Sequence, residues 1–363
     1  MAENKNIHLD RRQLQKPQIN LARSTAGRMW LVNLCAFAAV IQSSLGDSFS
    51  SLNVALGAVA GAVLAESLVL FRSRNLKILK DGSAVATALI LALFLPNRIP
   101  PVYAAVGAAF AMLVIKHSFG GLGSNWLNPA AGGWLFIRFS WPAVFDGALE
   151  ASPLSLLAEC VGRGVTNPQG SPLGILKIEA PGLFAAAGPL DGAIGSFLNK
   201  TVFSLSGAEL PGGYLDLLSS GFPGIIADRG VLALLAGTIV ITAFRVNRSW
   251  IPAVFLTVFG VLFRFAGALP YGGGFWNGDV LFALCSGGML AAAFFLISDP
   301  ATGAKSSGGI FLTAAAGGAL AFLFCSSGGE PYGAVFAVLI MNAVIPLFRI
   351  FESRLLYEKR RNS

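Results

Sequence analysis

The sequence predicts an all-α polytopic membrane protein with about ten transmembrane helices, in two inverted five-helix halves with a long extracytoplasmic loop. Three observations predict this fold class: the apolar composition, ten apolar segments and the uneven distribution of basic residues. Of the 363 residues, 55% are hydrophobic and 12% are charged, and the mean hydropathy is +0.68. These values lie outside the range of ordinary soluble domains, so they indicate an integral membrane protein.

Ten segments are candidate spans, because a helix that crosses the hydrocarbon needs about 20 mainly apolar residues. In chain order they are Met29–Leu45, Val54–Phe71, Ala84–Leu95, Val102–Ile115, Trp126–Phe145, Val231–Phe244, Ile251–Ala266, Val280–Ile297, Ile310–Cys325 and Gly333–Phe348. Several of these segments are shorter than a full span, which predicts broken or re-entrant helices among them.

The positions of the basic residues predict the orientation. With ten spans both termini lie on one side, and 19 of the 26 Lys and Arg residues fall in the tails and loops of that side. The positive-inside rule makes this side the cytoplasm. We therefore expect both termini in the cytoplasm, and this topology explains the net charge of +8 without a nucleic-acid partner.

The predicted organisation has five parts. A cytoplasmic N-terminal tail (1–28) precedes the first membrane half (29–145), an extracytoplasmic loop or cap (146–229), the second membrane half (230–349) and a basic cytoplasmic C-terminal tail (350–363). The first part is polar and lacks the apolar core of a signal peptide. The loop contains apolar patches such as LLAECV, which predict a folded cap.

The two membrane halves resemble each other in sequence. The segment DGSAVATALILALFLPN, a span, FGGLGSN and another span are echoed by ALCSGGMLAAAFFLISDP, a span, SSGGEPYG and a span. Because each half has five predicted spans, the halves take opposite orientations. Such inverted repeats place binding sites near the midplane, at the interface between the repeats.

The loop between the fourth and fifth predicted spans is a candidate binding site, with the sequence FGGLGSNWLNPAAGG. Its glycines allow the backbone to turn and to approach a bound group, and its asparagines and proline can start a helix at membrane depth. The candidate residues are Gly120, Gly121, Gly123, Asn125 and Asn128. A site for a flavin ring, a quinone or an ion is one interpretation, and a tight turn with close helix packing is the other.

Three acidic residues are candidates for an ion path. Glu66 lies within the second span, where a carboxylate needs a partner or water; the alternative is that it reaches the interface or pairs with Arg72 or Arg74. Asp81 and Asp299 lie at span ends, where helix capping or interfacial solvation is the common role of an aspartate.

The sequence does not predict a metal site or a hydrolytic centre. It contains two histidines, His8 and His117, no Walker motif, and no GxGxxG motif after a strand. The four cysteines form no CxxC pair, and three of them lie in apolar runs, so we expect buried small side chains. No catalytic residue is predicted.

The motifs resemble those of the RnfD family, a membrane component of the Rnf electron-transport complex, which is related to NqrB of the sodium-pumping NADH:quinone oxidoreductase. The matching segments are DGSAVATALILALFLP, FGGLGSNWLNPA, SWIPAVFLTVFG, LCSGGMLAAAFFLISDPATG and GGEPYGAVFAVLIMNAVIPLF, in the family's order. The resemblance implies a urea-transporter-like fold and a subunit of a redox-driven ion translocase. It also implies partnership with the other Rnf proteins, RnfA, RnfB, RnfC, RnfE and RnfG, and coupling of electron transfer of the ferredoxin/NAD class to Na⁺ or H⁺ movement.

The resemblance further implies a flavin. Relatives attach FMN through a phosphoester to a threonine of an SGAT-like motif in the loop after the fifth span, with the help of a flavin transferase. Here the best local match, QGSPLGILK, puts Ser171 at the anchor position, while two weaker matches put Gly188 and Glu209 there. Covalent FMN on Ser171, flavin held without a bond (riboflavin included) and an empty site are the three alternatives.

Two further functions stay open beside the redox pump. The implied fold also serves solute permeation, so a channel or transporter for small solutes is an alternative from a different class. The other is a flavin-free protein that acts only as a scaffold of the complex.

Overall fold

The computed structural model describes residues 24–72, 76–147, 153–165, 175–176, 179, 189–201, 204, 213–218, 224–304, 306–326 and 332–361. Within these ranges the chain is helical and forms no strand. One isolated bridge joins Pro96 to Ile225.

The α-helices of the described ranges are numbered in chain order. They are α1 (Thr25–Leu45), α2 (Ser50–Arg72), α3 (Ser83–Leu93), α4 (Pro101–Phe110), α5 (Pro129–Ser140), α6 (Pro142–Gly147), α7 (Pro153–Gly162), α8 (Pro189–Thr201), α9 (Tyr214–Leu218), α10 (Ile226–Arg229), α11 (Val231–Ala243), α12 (Trp250–Ala266), α13 (Val280–Leu284), α14 (Met289–Ala291), α15 (Ser307–Ser326) and α16 (Gly333–Arg361). Two of them continue as π-helical segments, α4 through Ala111–His117 and α14 through Ala292–Leu296. Short 3₁₀ turns cover Leu76–Asp81 and Leu269–Tyr271.

Several helices have the composition of membrane helices. Among the described residues, α1, α2 and α15 are long and apolar enough to cross a bilayer. Shorter apolar helices of 10–17 residues are α3, α4 with its π segment, α11, α12 and the first part of α16. The predicted class of helical membrane protein is therefore confirmed in its coarse form. The count of ten spans and the inverted halves stay predictions.

The helices depart most from the predicted spans at three places. The predicted span at 280–297 is interrupted between α13 and α14, where Gly287 and Gly288 have φ values of 66° and 63°. The predicted span at 126–145 becomes α5 and α6, because Pro142 cannot continue the hydrogen bonding of α5. The last helix extends to Arg361 and so includes most of the predicted C-terminal tail.

Glycines bring α2 and α4 into backbone contact. A Cβ on Gly57 would lie 2.6 Å from the carbonyl oxygen of Pro101, and one on Gly61 would lie 2.1 Å from that of Ala105. This four-residue spacing of small residues is typical of closely packed membrane helices. Because the contacts advance together along both helices, α2 and α4 run in the same direction, and the α2 residue Glu66 faces the end of α4.

Parts of the predicted cap pack on the second half of the chain. Described residues of the loop form a small apolar cluster with Phe282 of α13. The loop members are Leu157, Cys160, Ile175, Leu176 and Leu217. The Tyr214 hydroxyl also donates to Asp279, the N-cap residue of α13. These contacts attach the described pieces of the loop to the start of α13.

Candidate functional site

A buried ion pair joins α2 to the end of α4. Lys116 Nζ lies 2.6 Å from Glu66 Oε1, and the two side chains are 3% and 0% exposed. Nζ also donates to Ser83 Oγ, at 2.7 Å, at the start of α3. A single buried charge costs several kcal/mol, so each member of this pair makes burial of the other tolerable. Glu66 thus has the partner that a carboxylate within a span needs.

The π-helical segment Ala111–His117 positions Lys116 in the interior. The orientation count from the sequence includes Lys116 among the basic residues of the cytoplasmic side, and in the structure this lysine is buried, with 2% exposure. A π segment fits an extra residue into the turn and is found frequently at functional sites. The next residue, His117, places Nε2 3.7 Å from Glu66 Oε1.

Asp81 has the capping role that its position at a span end favours. Its Oδ1 accepts a hydrogen bond from Ser83 N at 2.7 Å. Between the two, Gly82 has a φ of 76°, and its carbonyl accepts a hydrogen bond from Asn33 Nδ2 of α1 at 3.0 Å. The turn before α3 is therefore fixed, and it holds the Ser83 hydroxyl against Lys116.

Asn128 and Asp299 join two loops that are far apart in the chain. Asn128 is the N-cap of α5, and its Oδ1 accepts from Ala130 N at 3.0 Å and from Ala131 N at 3.3 Å. Its Nδ2 donates to Asp299 Oδ2 at 3.3 Å. The other carboxylate oxygen of Asp299 accepts from Ala301 N at 3.0 Å. The expected start of a helix at Asn128 and Pro129 is thus observed, and the cap also forms the link between the loops.

A cavity of about 110 Å³ lies between these groups. Its polar lining includes Ser83, Lys116, Asn125, Asn128, Asn247 and Asp299. Phe294 and Phe295 of the second π-helical segment line it as well, so both π segments border this one cavity. Asn125 is 6% exposed, and its Oδ1 has no hydrogen-bond partner among the described residues. This arrangement can bind a small polar group or a cation and place it beside the ion pair.

The glycines of the loop before α5 have a conformational role. Gly120, Gly121 and Gly123 have φ values of 105°, 92° and 89°, which other residues rarely adopt. Cβ atoms on Gly121 and Gly123 would meet nothing within 4 Å, and none of the three glycines lines the cavity. They turn the chain so that Asn125 and Asn128 face inward.

The structure therefore brings together part of the predicted site. Asn125, Asn128 and Asp299 all line the cavity. Glu66 does not line it but contacts Lys116, which does. Asp81 contributes indirectly, through Ser83. Four polar residues of the cavity lining were not predicted from the sequence: Ser83, Thr87, Lys116 and Asn247. The only signal for Lys116 was a charge directly after an apolar helical run.

Ser171, the candidate flavin anchor, is the remaining site residue from the sequence. Ser171 and the alternative anchors at positions 188 and 209 lie outside the described residues. Of the described residues, no group of three or more His, Cys, Asp or Glu side chains could hold a metal ion. All four cysteines are free thiols, and Cys35, Cys160 and Cys325 are buried, as their apolar surroundings predict.

Comparison with known proteins assigns the chain to a family. Residues 13–357 match the model of the NQR2, RnfD, RnfE family. A protein of Clostridium ljungdahlii, named as the D subunit of a "Proton-translocating ferredoxin:NAD(+) oxidoreductase complex", is 30% identical over 95% of both chains. The D subunit of the "Ion-translocating oxidoreductase complex" of Vibrio cholerae is 31% identical over 91% of this chain and 94% of its own. A protein of the same name from Shewanella denitrificans is 31% identical over 91% and 93%. The chain belongs to the NQR2, RnfD, RnfE family.

Proposed function

We propose that this chain is the RnfD-type membrane subunit of a complex that couples electron transfer to the translocation of Na⁺ or H⁺. The family and the names of the relatives support a membrane subunit of an ion-translocating oxidoreductase complex. Its partners are the other proteins of such a complex, RnfA, RnfB, RnfC, RnfE and RnfG, and its place is the bacterial inner membrane with both termini in the cytoplasm. We expect no complete active site within this chain alone.

The buried Glu66–Lys116 pair is the observation that supports an ion-translocating role, because it lies beside the cavity of about 110 Å³ that Asn128 and Asp299 line. A carboxylate in a membrane segment is costly, and such groups commonly mark ion or proton pathways. Lys116 holds a positive charge against Glu66, in the place that a translocated cation would take. A cation that enters the cavity competes with Lys116 for Glu66, and Asp299 and the amides supply oxygen ligands, as hard cations require.

The inverted arrangement of the two halves is part of this proposal, and the packing supports it. In the first half, α2 packs on α4 through glycines of α2. The corresponding helices of the second half are α12 and α15, and they also pack on each other. Gly318 of α15 lies at this contact, since a Cβ on it would be 2.5 Å from the carbonyl oxygen of Phe255 in α12. In both halves the last helix packs on its predecessor. The cavity then lies between a loop of the first half and a loop of the second half, and inverted repeats place their binding sites at the interface between the repeats.

A flavin is the second part of the proposal, and its support is the family resemblance of the motifs. Ser171 is the candidate for covalent FMN, since the motif resemblance implies an anchoring hydroxyl at this position of the loop. Asn125 and Asn128 are the candidates for polar contacts to the ring of a flavin or a quinone. The flavin in this case can be riboflavin that is held without a covalent bond. An electron carrier attached by its phosphate cannot diffuse away, while its ring remains free to approach its redox partners.

The ion path is tested in membrane vesicles that contain the assembled complex. Electron transfer and ion uptake are measured separately, with ²²Na⁺ for sodium and a pH-sensitive dye for protons. Glu66→Gln is expected to lower the number of ions taken up per electron transferred. The matched control is Glu159→Gln, which alters a carboxylate that is 62% exposed in the cap region. An unchanged ratio in Glu66→Gln contradicts the proposed path, and solute flux in liposomes with this chain alone supports a channel instead.

A further inference from the structure

A second and larger cavity, of about 660 Å³, opens beside the polar one and is lined by three arginines. Arg28 comes from the first turns of α1, and Arg245 and Arg248 come from the connection between α11 and α12. Three guanidinium groups from two distant parts of the chain therefore surround one concave space. Its volume is within the range of about 300–1,000 Å³ that is common for ligand sites.

These arginines have no acidic partner among the described residues. The described ion pairs involve other basic groups, and Arg28, Arg245 and Arg248 are all exposed. One carboxylate, that of Asp299, lines the cavity, but it accepts hydrogen bonds from Asn128 and from the backbone of its own loop. The lining has three arginines against one carboxylate, so its net charge is positive.

The start of α12 adds to this charge. Ser249 is the N-cap of this 17-residue helix and lines the cavity, and its side chain makes no capping hydrogen bond. The N-terminus of a helix carries a partial positive charge and attracts anions. This contribution has the same sign as the arginines and comes from the segment that carries Arg248.

Much of the remaining lining is apolar. Trp250 and four isoleucines face the same space. The isoleucines are Ile251, Ile297, Ile310 and Ile345. A free phosphate ion needs no such surface, whereas a phospholipid has apolar parts directly attached to its charged headgroup. Basic pockets between membrane helices on the side with the basic loops bind anionic headgroups in this way.

We propose that this cavity binds the headgroup phosphate of an anionic phospholipid, with Arg28, Arg245 and Arg248 as its ligands. Guanidinium groups form paired hydrogen bonds to phosphate oxygens, which ammonium groups cannot reproduce. The bound lipid holds the α11–α12 connection against α1 and lies next to the Asp299 loop, which lines both cavities. This inference does not depend on the ion path or on the flavin.

Native mass spectrometry of the full-length chain, released from detergent with equal amounts of phosphatidylglycerol and phosphatidylcholine, tests the site. We expect one retained phosphatidylglycerol in preference to phosphatidylcholine. In Arg245→Gln and in Arg248→Gln the retained fraction falls by about fivefold, the effect of about 1 kcal/mol for one basic residue at a membrane surface. The matched control, Arg72→Gln, removes an exposed arginine at the end of α2 that does not line the cavity, and it leaves retention unchanged.

Further outcomes separate the phosphate site from general charge and from folding. Arg245→Lys keeps the charge and loses the paired hydrogen bonds, so we expect it to retain less phosphatidylglycerol than the wild type. If Arg245→Lys, Arg245→Gln and Arg72→Gln all retain the same amount of phosphatidylglycerol, the proposal is overturned. Equal retention of both lipids overturns it as well. If inorganic phosphate alone raises the melting temperature of the wild type but not of Arg245→Gln, without any lipid preference, the ligand is a soluble phosphate and the lipid assignment is wrong. Variants are compared only when their melting temperatures in phosphatidylcholine equal that of the wild type.

Discussion

Lys116 Nζ lies 2.6 Å from Glu66 Oε1, although the two residues are 50 positions apart in the chain. Both side chains are almost completely inaccessible to solvent. The aligned glycine contacts between α2 and α4 bring the two backbones close enough for this pair. Lys116 extends back towards the N-terminal end of its helix to reach Glu66, which is the direction in which helical side chains project.

The first prediction concerns the stability of the protein when one charge of the Glu66–Lys116 pair is removed. Glu66→Gln leaves a buried ammonium without its counter-charge, so we expect a loss of about 3–5 kcal/mol in the free energy of unfolding. The double variant Glu66→Gln/Lys116→Met removes both charges and recovers most of that loss. Unfolding of the detergent-solubilised protein with increasing SDS measures both quantities. Lys116→Met alone completes the cycle: if its effect and that of Glu66→Gln add up in the double variant, the two residues do not interact as described.

The second prediction concerns the contact between α2 and α4. Gly61→Ala introduces a Cβ at 2.1 Å from the carbonyl oxygen of Ala105, so the helices have to move apart. We expect a destabilisation of about 1–3 kcal/mol, as for other overpacked sites. Gly308→Ala in the first turn of α15 is the control, since its Cβ would meet nothing within 4 Å. Equal melting temperatures of the two variants count against close packing at Gly61.

The third prediction separates the two roles of Asn128. Asn128→Ala removes both the N-cap of α5 and the hydrogen bond to Asp299, and the loss of a cap costs about 1 kcal/mol. Asn128→Ser keeps a capping oxygen and loses the amide that reaches Asp299. We expect reduced ion uptake per electron in both variants and reduced thermal stability in the alanine variant alone. Normal uptake in Asn128→Ser indicates that the link to Asp299 is only structural.

The fourth prediction concerns Asp228, which accepts hydrogen bonds from Gly287 N and Gly288 N at the interruption between α13 and α14. Burial raises the pKa of Asp228 to about 7, against the lowering effect of these two hydrogen bonds. Because the folded-state pKa lies above the ordinary value of 3.8, this group's contribution to stability is complete below that value and is lost as the pH rises through about 7. We expect the melting temperature to fall between about pH 4 and pH 7 in the wild type, and to fall less in Asp228→Asn. The same slope in both proteins assigns the pH dependence to other groups.

The fifth prediction concerns the flavin anchor. Covalent FMN on Ser171 gives a fluorescent band on a denaturing gel under ultraviolet light, in cells that also produce the flavin transferase. Ser171→Ala abolishes this band, and Ser171→Thr, which keeps a hydroxyl for the phosphoester, retains it. A dark wild-type band with flavin in the denatured supernatant indicates flavin held without a covalent bond. A dark band without released flavin removes the flavin from the proposal.

More of the fold than of the site could be predicted from the sequence. Apolar runs determine which segments can be membrane helices, because the hydrocarbon leaves no other partner for the backbone than the helix itself. The capping position of Asn128 was also predictable, since an asparagine before a proline begins a helix. The sequence predicted broken helices among the short spans, but it did not show that the break at Gly287 and Gly288 is bound by Asp228, because this carboxylate is distant in the chain.

By itself, the sequence determined the membrane class, the acidic and amide residues that need partners, and the motifs of the family. Only the tertiary structure decided that Glu66 pairs with Lys116, and that Asn128 meets Asp299 across 171 positions of the chain. The physical reason is that a buried charge requires a partner but does not specify which one. That choice depends on how the glycine contacts and the π-helical segment place the backbones, and these distances arise only when the helices pack together.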